Sequence, residues 1–405
     1  MLFYMKKYNN RSVLLFLQLL IFAACSKTEE PPRPVGNKLP YAGAGISLAK
    51  LVDSIPEASI YRAALKRTRI QPYMDSLSAG NPGAPFTLFV PANKAWESAG
   101  YTMDNINTVP AAELDTIIRY LTITGGVPAN TKNLMGETTY YPLMYKDRNI
   151  TRSQVPTPFW AWTNRYYYYR LIVGLTDGVL RLNGRTVSKT AGIQATNGAV
   201  FMIDTLITKP FYETYQVLSS DTSFSFYMAA LKKNNAVYAR KGLLNSFNDT
   251  AALVLTVGSD SPGLDPFAIV FAPDNNAFRK AGFYSVADIN SYIDQSVVAG
   301  AGNVGPMMTN MDSILMHHRL LSAFSGINPG YSFLYTIDLR YGLYTVNLGN
   351  APSYGALMVQ NNSGQTVLHR RDVPSGRGAM IISASDNTTL TGVIHRVDNL
   401  LLPTP

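Results

Sequence analysis

One short stretch occurs twice in this chain, and it constrains the fold more than any other feature of the sequence. The first copy, FTLFVPANKAW, covers residues 86–96, and the second, AIVFAPDNNAF, covers residues 268–278. Each copy is apolar and favours a β-strand up to a proline, Pro91 or Pro273. Because proline lacks the backbone N–H that a sheet needs, each strand should end there.

The residues after the proline predict a helix in both copies. Asn93 and Asn275 each lie two positions beyond the proline, and asparagine there is suited to cap the start of a helix. A large aromatic side chain follows at Trp96 and Phe278, where it can fold back under the strand. The sequence therefore predicts a strand, a capped helix and a buried aromatic anchor, in duplicate.

Other landmarks recur in the same order around these two copies. Apolar spacing predicts an amphipathic helix before each copy and another after it. Each half then ends on an apolar strand, the closing strand, at 197–207 and 391–401, and the Asn197-Gly198 pair is a turn signal that leads into the first. The paired helix faces are Tyr61–Lys66 with Tyr227–Lys232, and Leu114, Ile117, Ile118 and Leu121 with Met311, Ile314, Leu315 and His318. At 405 residues the chain exceeds what one core usually supports, so we predict two repeats, at 46–210 and 211–405.

These motifs resemble those of fasciclin-like domains arranged in tandem. The shared features are the strand that ends in Phe-Ala-Pro-Asp-Asn-Asn-Ala-Phe at 271–278 and the closing strand Gly-Val-Ile-His-Arg-Val-Asp at 392–398. The resemblance extends from Ile46 to Pro403. It implies an α+β fold in which each domain is a twisted β-wedge or sandwich with packed helices. It also implies extracellular adhesion and binding, with no catalytic chemistry common to the family.

The repeats depart from the family pattern at two positions, and they differ there from each other. At the histidine of a family Tyr-His pair, the first repeat has Leu121 and the second has His318. At the histidine of the closing strand, the first has Phe201 and the second has His395. Both positions fall on the apolar side of their elements. We therefore predict that they touch, as a buried polar contact between His318 and His395 and as a Leu121–Phe201 contact in the first repeat.

The N-terminal residues predict export and lipid attachment. Residues 1–24 have a basic start and an apolar run shorter than the ~20 residues that span a bilayer, as in a secretory signal peptide. The single cysteine, Cys25, follows Ile21-Phe-Ala-Ala in a motif that resembles the lipobox of bacterial lipoproteins. We predict lipid on Cys25 and a polar, proline-rich tether at 25–45. The alternative is an ordinary signal peptide with an incidental cysteine.

Composition and motifs argue against several classes of function. The formal net charge of +9 is spread without a basic run, so nucleic-acid binding is not expected. Adjacent His317 and His318 point about 100° apart on a helix, which suits a metal poorly. The chain lacks a Gly-x-Ser-x-Gly elbow, a His-Glu-x-x-His motif and a phosphate-binding loop, and residues 46–210 contain no histidine. We therefore expect no metal, no cofactor and no enzyme activity.

An aromatic stretch is the least ordinary part of the sequence. It contains Trp160 and Trp162 and then four consecutive tyrosines, Tyr166, Tyr167, Tyr168 and Tyr169. In a strand, alternate tyrosines point to opposite faces, and only one face can be core. The stretch therefore predicts an exposed aromatic contact for a ligand or partner. The alternative is that other parts of the chain cover both faces.

The sequence as a whole predicts a protein that works by binding at the cell surface. Glu29-Glu30 resembles an export signal of some Gram-negative lipoproteins, so we expect an outer-membrane protein that is anchored by lipid and faces the exterior. Adhesion to an extracellular protein or polysaccharide is the first hypothesis. The second is an accessory subunit of an outer-membrane transporter that imports glycans or peptides.

Overall fold

A computed structural model describes most of the two repeats. The described residues are 45–80, 85–127, 129, 131, 134–140, 142–143, 146–151, 166–176, 178–189, 191–244, 250, 253, 268–300, 308–321, 334–339, 342–346, 355–362, 365–382 and 386–403. Both repeats belong to one compact unit, Gly43–Pro405.

The first repeat begins with helices and continues into strands. Its helices are α1 (Leu48–Asp53), α2 (Ser59–Lys66), α3 (Ile70–Gly80), α4 (Asn93–Ser98) and α5 (Ala111–Tyr120). Its strands are β1 (Phe86–Pro91), β2 (Thr122–Thr124), β3 (Leu134–Tyr140), β4 (Lys146–Thr151), β5 (Tyr166–Tyr168), β6 (Leu171–Thr176), β7 (Val179–Leu182), β8 (Arg185–Ser188), β9 (Ile193–Ala195) and β10 (Gly198–Ile203).

The second repeat has a similar order of elements. Its helices are α6 (Thr214–Ser220), α7 (Ser225–Arg240), α8 (Asn275–Lys280), α9 (Val286–Asp294) and α10 (Asp312–Leu315), which continues as a 3-10 turn at Met316–His318. Its strands are β11 (Ala268–Pro273), β12 (Arg319–Leu321), β13 (Gly342–Val346), β14 (Gly355–Asn362), β15 (Gln365–Arg370), β16 (Ala379–Met380), β17 (Asn387–Thr389) and β18 (Gly392–Val397).

Each repeat is organised by a parallel pair of strands, formed by the proline-ended strand and the closing strand. The sheets have the equivalent orders β2-β1-β10-β9 and β12-β11-β18-β17. Phe86 lies opposite Gly198 in the first repeat, and Ala268 lies opposite Gly392 in the second. Both pairings end at the proline. The equal topology and register confirm the prediction of one α+β fold used twice.

A second four-stranded sheet completes each repeat. Its order is β3-β6-β7-β8 in the first repeat and β13-β14-β15-β16 in the second. The two sheets of a repeat meet just after the closing strand. There the Asp204 N–H donates to the Val187 carbonyl at 2.8 Å, and the Asp398 N–H donates to the Met380 carbonyl at 3.2 Å. The contact at this end matches the wedge that the family resemblance implied.

The central strand β11 separates two apolar layers in the second repeat. Ala268, Val270 and Ala272 belong to the cluster that contains the helices. Ile269 and Phe271 belong to a second cluster, which contains side chains of β14 and β15. This alternation follows from the two-residue period of a strand, and it explains why β11 is buried along its whole length.

The predicted aromatic anchors are confirmed. Trp96 and Phe278 are fully buried directly after their strands. The Trp96 ring meets Tyr101 edge to face with centroids 5.4 Å apart, and the Phe278 ring meets Phe226 in the same way at 6.1 Å. These contacts pack α4 against the turn that follows it and α8 against α7.

The predicted capping role of the two asparagines is wrong for the helices that follow. Ala92 and Asp274 occupy the N-cap positions. The Asn93 side chain instead accepts the Ile60 N–H at 3.0 Å, at the start of α2. The Asn275 side chain accepts the Phe226 N–H at 3.0 Å, at the start of α7. Each asparagine thus caps a helix distant in sequence and ties it to the strand end.

In the described part of the chain, no helix combines the length and apolar character needed to cross a membrane.

The closing strand requires glycine where it begins, and this requirement can be tested. Gly392 has φ +152°, and a Cβ there would overlap with the Ala268 carbonyl of β11. We expect Gly392→Ala to lower stability by about 3 kcal/mol, because the clash is with backbone and no rotamer relieves it. Thermal unfolding should show a fall in Tm of roughly 6–12 °C. Gly376→Ala is the matched control, since a Cβ there meets no atom within 4 Å; equal Tm values for the two variants would contradict the role.

Candidate functional site

The sequence-predicted aromatic site is only partly within the described residues. Cys25, Trp160 and Trp162 lie outside them, and Tyr166 and Tyr168 lie in the short strand β5. Their predicted roles in lipid attachment and ligand contact stay predictions.

Two of the predicted contact residues need a correction, because they are buried. Tyr167 and Tyr169 are 1% and 0% exposed, and their rings meet edge to face with centroids 4.9 Å apart. The Tyr167 hydroxyl donates to the Leu390 carbonyl of the second repeat at 2.8 Å. The Lys209 ammonium donates to the Tyr169 hydroxyl at 2.6 Å. Tyr167 therefore helps to join the repeats, and neither buried ring offers a surface to a ligand.

His318 is buried as predicted, but its partners are backbone groups. Its Nδ1 donates to the Phe271 carbonyl at 2.8 Å, and its Nε2 accepts the Leu401 N–H at 3.0 Å. The ring is therefore the neutral Nδ1–H tautomer. Burial lowers the pKa of His318 to about 3, although the bond to Phe271 acts in the opposite direction.

His395 is also fully buried, and both of its ring nitrogens face acceptors. Nδ1 lies 2.8 Å from an Asp386 carboxylate oxygen, and Nε2 lies 2.9 Å from the Leu334 carbonyl. Both ring nitrogens thus have partners other than His318, so the predicted direct His318–His395 contact is wrong. Phe271 lies between the two, since its carbonyl accepts from His318 and its ring stacks on His395 at 5.2 Å.

The prediction that Phe201 and His395 occupy equivalent positions in the two repeats is nevertheless confirmed. Phe201 lies opposite Phe89 in the strand register, as His395 lies opposite Phe271. The Phe89 and Phe201 rings are 5.9 Å apart. The first repeat thus has a phenylalanine ring at the place where the second repeat has a hydrogen-bonded imidazole.

Asp386 connects His395 to a loop that reaches the first repeat. Its carboxylate accepts the Thr336 hydroxyl at 2.5 Å and the Thr336 N–H at 3.1 Å. Burial raises the pKa of Asp386, but hydrogen bonds and charge from His395, together with the bonds from Thr336, outweigh it, so the net pKa lies below the ordinary value. The Asp386 carboxylate and the His395 ring together fix the backbone on both sides of Tyr335.

Tyr335 forms the centre of the junction between the repeats. Its side chain is fully buried and packs with Ile172 of the first repeat and Val393 of the closing strand. The ring lies so close to Gly184 that a Cβ there would overlap with it. Its hydroxyl is within 3.1 Å of the Thr388 hydroxyl.

The turn that receives Tyr335 is built by an Asn-Gly pair that our sequence prediction missed. Asn183 and Gly184 have φ values of 49° and 74° and join β7 to β8 as a two-residue hairpin turn. The Asn183 side-chain Oδ1 accepts the Ile172 N–H at 3.0 Å, and its side-chain Nδ2 donates to the Tyr120 hydroxyl at 2.9 Å. The dipeptide, between Leu182 and Arg185, was a readable hairpin signal.

A cleft of about 400 Å³ opens beside this junction, and we call it the junction cleft. One wall is the β7–β8 turn with Asn183 and Arg185, and the base is the linker 206–212. The other wall comes from α6 and β17 of the second repeat. The rings of Phe211 and Tyr212 in the linker are 60% and 64% exposed. This cleft is the candidate functional site.

Within the described residues, no group of three or more His, Cys, Asp or Glu side chains is arranged to hold a metal ion. The junction cleft has no acidic or histidine side chain among its lining residues. Its lining combines aromatic rings, amides, hydroxyls and cations, which are groups that ligand-binding sites use.

Comparison with known protein families gives a match to the first repeat. The family model for the Fasciclin domain matches residues 56–209. The first repeat is fasciclin-like. The second has the same central-sheet order and strand register, so the chain contains two tandem fasciclin-like α+β repeats. Fasciclin domains are associated with cell adhesion and binding.

One solved structure with similarity to the chain is the FAS1 domain pair of the insect cell adhesion molecule fasciclin I. Sequence identity is 16%, the alignment covers 85% of this chain and 97% of that one, and the TM-score is 0.32. No curated protein matches the sequence.

The His395–Asp386 pair should contribute to stability as a unit. We expect His395→Phe, which introduces the residue of the first repeat, to destabilise the fold by about 3 kcal/mol, because the largely buried Asp386 carboxylate loses its hydrogen-bond partner. Asp386→Leu alone should have a similar effect, and the double variant should cost less than the sum. Urea unfolding of the four proteins measures this coupling. Strictly additive losses would show that the two side chains act independently.

The depressed pKa of His318 predicts a loss of stability in acid. Between pH 6.5, the ordinary pKa of histidine, and about 3, the unfolded chain binds a proton that the folded chain does not. The free energy of unfolding should therefore fall as the pH falls, by up to about 1.4 kcal/mol per pH unit from this group. His318→Leu should be less stable at neutral pH but lose less on acidification. Equal pH slopes between pH 4 and 6.5 would contradict this assignment.

Proposed function

We propose that this protein is a non-enzymatic adhesion and binding module whose contact surface is the junction between its two repeats. The observation that carries the proposal is the junction cleft, which both repeats build and which exposes two aromatic rings. Exposed aromatic side chains in a concave surface favour binding because they bury a large area at little entropic cost. The association of fasciclin domains with adhesion supports the same conclusion.

The firm connection between the repeats supports a single binding unit. The Tyr167–Leu390 hydrogen bond and the Tyr335 contact cross from one repeat to the other. The linker is also held, since the Leu390 N–H donates to the Tyr212 carbonyl at 2.9 Å. A ligand that touches both walls therefore meets a preformed surface, which lowers the entropic cost of binding.

The two buried histidines of the second repeat act in the core of the fold, and this supports a binding role over a histidine-based reaction. His318 and His395 both use their two ring nitrogens in buried hydrogen bonds. Neither lines the junction cleft.

We further propose a lipid anchor on Cys25 and a location at the outer face of the outer membrane. The motif around Cys25 supports the anchor. The polar tether at 25–45 would extend by at most roughly 70 Å. That reach would hold the two repeats above a membrane surface while leaving their orientation free.

The anchor can be tested with one substitution in the full chain. In a Gram-negative host that is fed an alkyne-labelled fatty acid, we expect the wild-type chain to be labelled and to sediment with membranes. Cys25→Ser should lose the label and move to the soluble fraction, because the sulfur is the acceptor. Ser26→Ala is the neighbouring control. Labelling of the Cys25→Ser chain would exclude this anchor.

Adhesion can be tested on cells that display the full chain. Such cells should attach to an immobilised extracellular matrix more strongly than cells with an empty vector. The importer hypothesis predicts a different result, namely a transporter that copurifies in stoichiometric amount from detergent-solubilised outer membranes. That result without any gain in attachment would replace adhesion with the importer role.

A further inference from the structure

The two exposed rings of the junction cleft stand on a fixed backbone. Phe211 and Tyr212 lie between the buried residues Ile207 and Thr214. The Tyr212 carbonyl accepts a hydrogen bond from Leu390 of the second repeat, and the Lys209 ammonium lies 5.3 Å from the centre of the Phe211 ring. Rings that are exposed and held in place form a platform on which a flat, partly apolar ligand can stack.

The charged side chains that line the cleft are all positive. Arg185 and Lys209 are among its lining residues, and no aspartate or glutamate is. Arg185 is exposed at the first position after the Asn183-Gly184 turn, where the turn fixes the backbone from which its guanidinium extends. A guanidinium pairs with a carboxylate through two parallel hydrogen bonds. The cleft therefore complements an anion.

The remaining polar groups are neutral and suit hydroxyl partners. Asn387 and Ser220 of the second repeat are exposed at the cleft, and Thr208 is exposed in the linker. Amides and hydroxyls both donate and accept, as sugar hydroxyls do. Two cations among such groups are too sparse for a nucleic acid, which carries one charge per roughly 1.7 Å of duplex.

We propose that the junction cleft binds an acidic polysaccharide, that is, a chain containing uronic-acid sugars. The Phe211 and Tyr212 rings stack on the apolar faces of the sugars, Arg185 pairs with a sugar carboxylate, and Asn387 bonds to sugar hydroxyls. This inference rests on the proposed binding function and names its ligand class.

The test uses the full chain in detergent and calorimetric titration with four probes. These are oligogalacturonate, a neutral galactan oligomer of equal length, poly-glutamate and single-stranded DNA. We expect oligogalacturonate to bind at least about ten times more tightly than each of the others, because only it offers both sugar faces and carboxylates.

Four variants test whether oligogalacturonate binds in the cleft. Arg185→Ala and Phe211→Ala should each weaken oligogalacturonate binding by about ten-fold. Arg240→Ala removes an exposed cation elsewhere, and Tyr284→Ala removes an aromatic ring that is 71% exposed outside the cleft. Both controls should bind within about two-fold of wild type. Unfolding curves of all four variants confirm that the fold is intact.

Several results would overturn the proposal. Equal binding of the neutral galactan would remove the role of Arg185, and equal binding of poly-glutamate or DNA would indicate a surface that responds to charge alone. Failure of every glycan to bind, while displayed cells still attach to matrix, would refute the ligand class and leave the adhesion function standing. If no glycan binds and displayed cells do not attach to matrix, both the ligand class and the adhesion function are refuted.

Discussion

The parallel pairing of the proline-ended strand with the closing strand is the contact on which each repeat depends. It brings together segments more than a hundred residues apart, and it is possible only because Gly198 and Gly392 let the closing strand start against a backbone carbonyl. Once the pair exists, the alternation of side chains sends one set to the helices and the other to the second sheet. The helices, the wedge and the core then follow from a single register.

That register also explains why the two repeats diverge where they do. The closing-strand positions Phe201 and His395 both lie beside a phenylalanine of the central strand. An aromatic ring fills this place with apolar contact alone. An imidazole fills it only if hydrogen-bond partners surround it, and Asp386 and the Leu334 carbonyl provide them. The loop that carries Tyr335 in the second repeat thus has a fixed backbone, and it packs against the first repeat.

The sequence correctly predicted the features that depend on neighbouring residues and on the repeated order of elements. Proline ended both strands, the aromatic residues after them became buried, and the duplicated order of elements identified one fold. The partners of buried polar groups could not be predicted in this way. Periodicity assigns His318 and Tyr167 to a buried side, but the groups that cover them come from distant positions, Leu401 and Leu390. The asparagine caps failed for the same reason, because Asn93 and Asn275 serve helices far away in sequence.

The junction shows how a duplicated fold acquires a site that neither copy has alone. The Asn183-Gly184 turn belongs to the first repeat, while the loop that carries Tyr335 belongs to the second. Their contact lies beside the cleft at which Phe211 and Tyr212 are exposed. Because His395 holds that loop from inside the second core, the surface cleft is connected to a buried hydrogen-bond network. A change that leaves the cleft residues intact but removes His395 should therefore alter binding as well as stability.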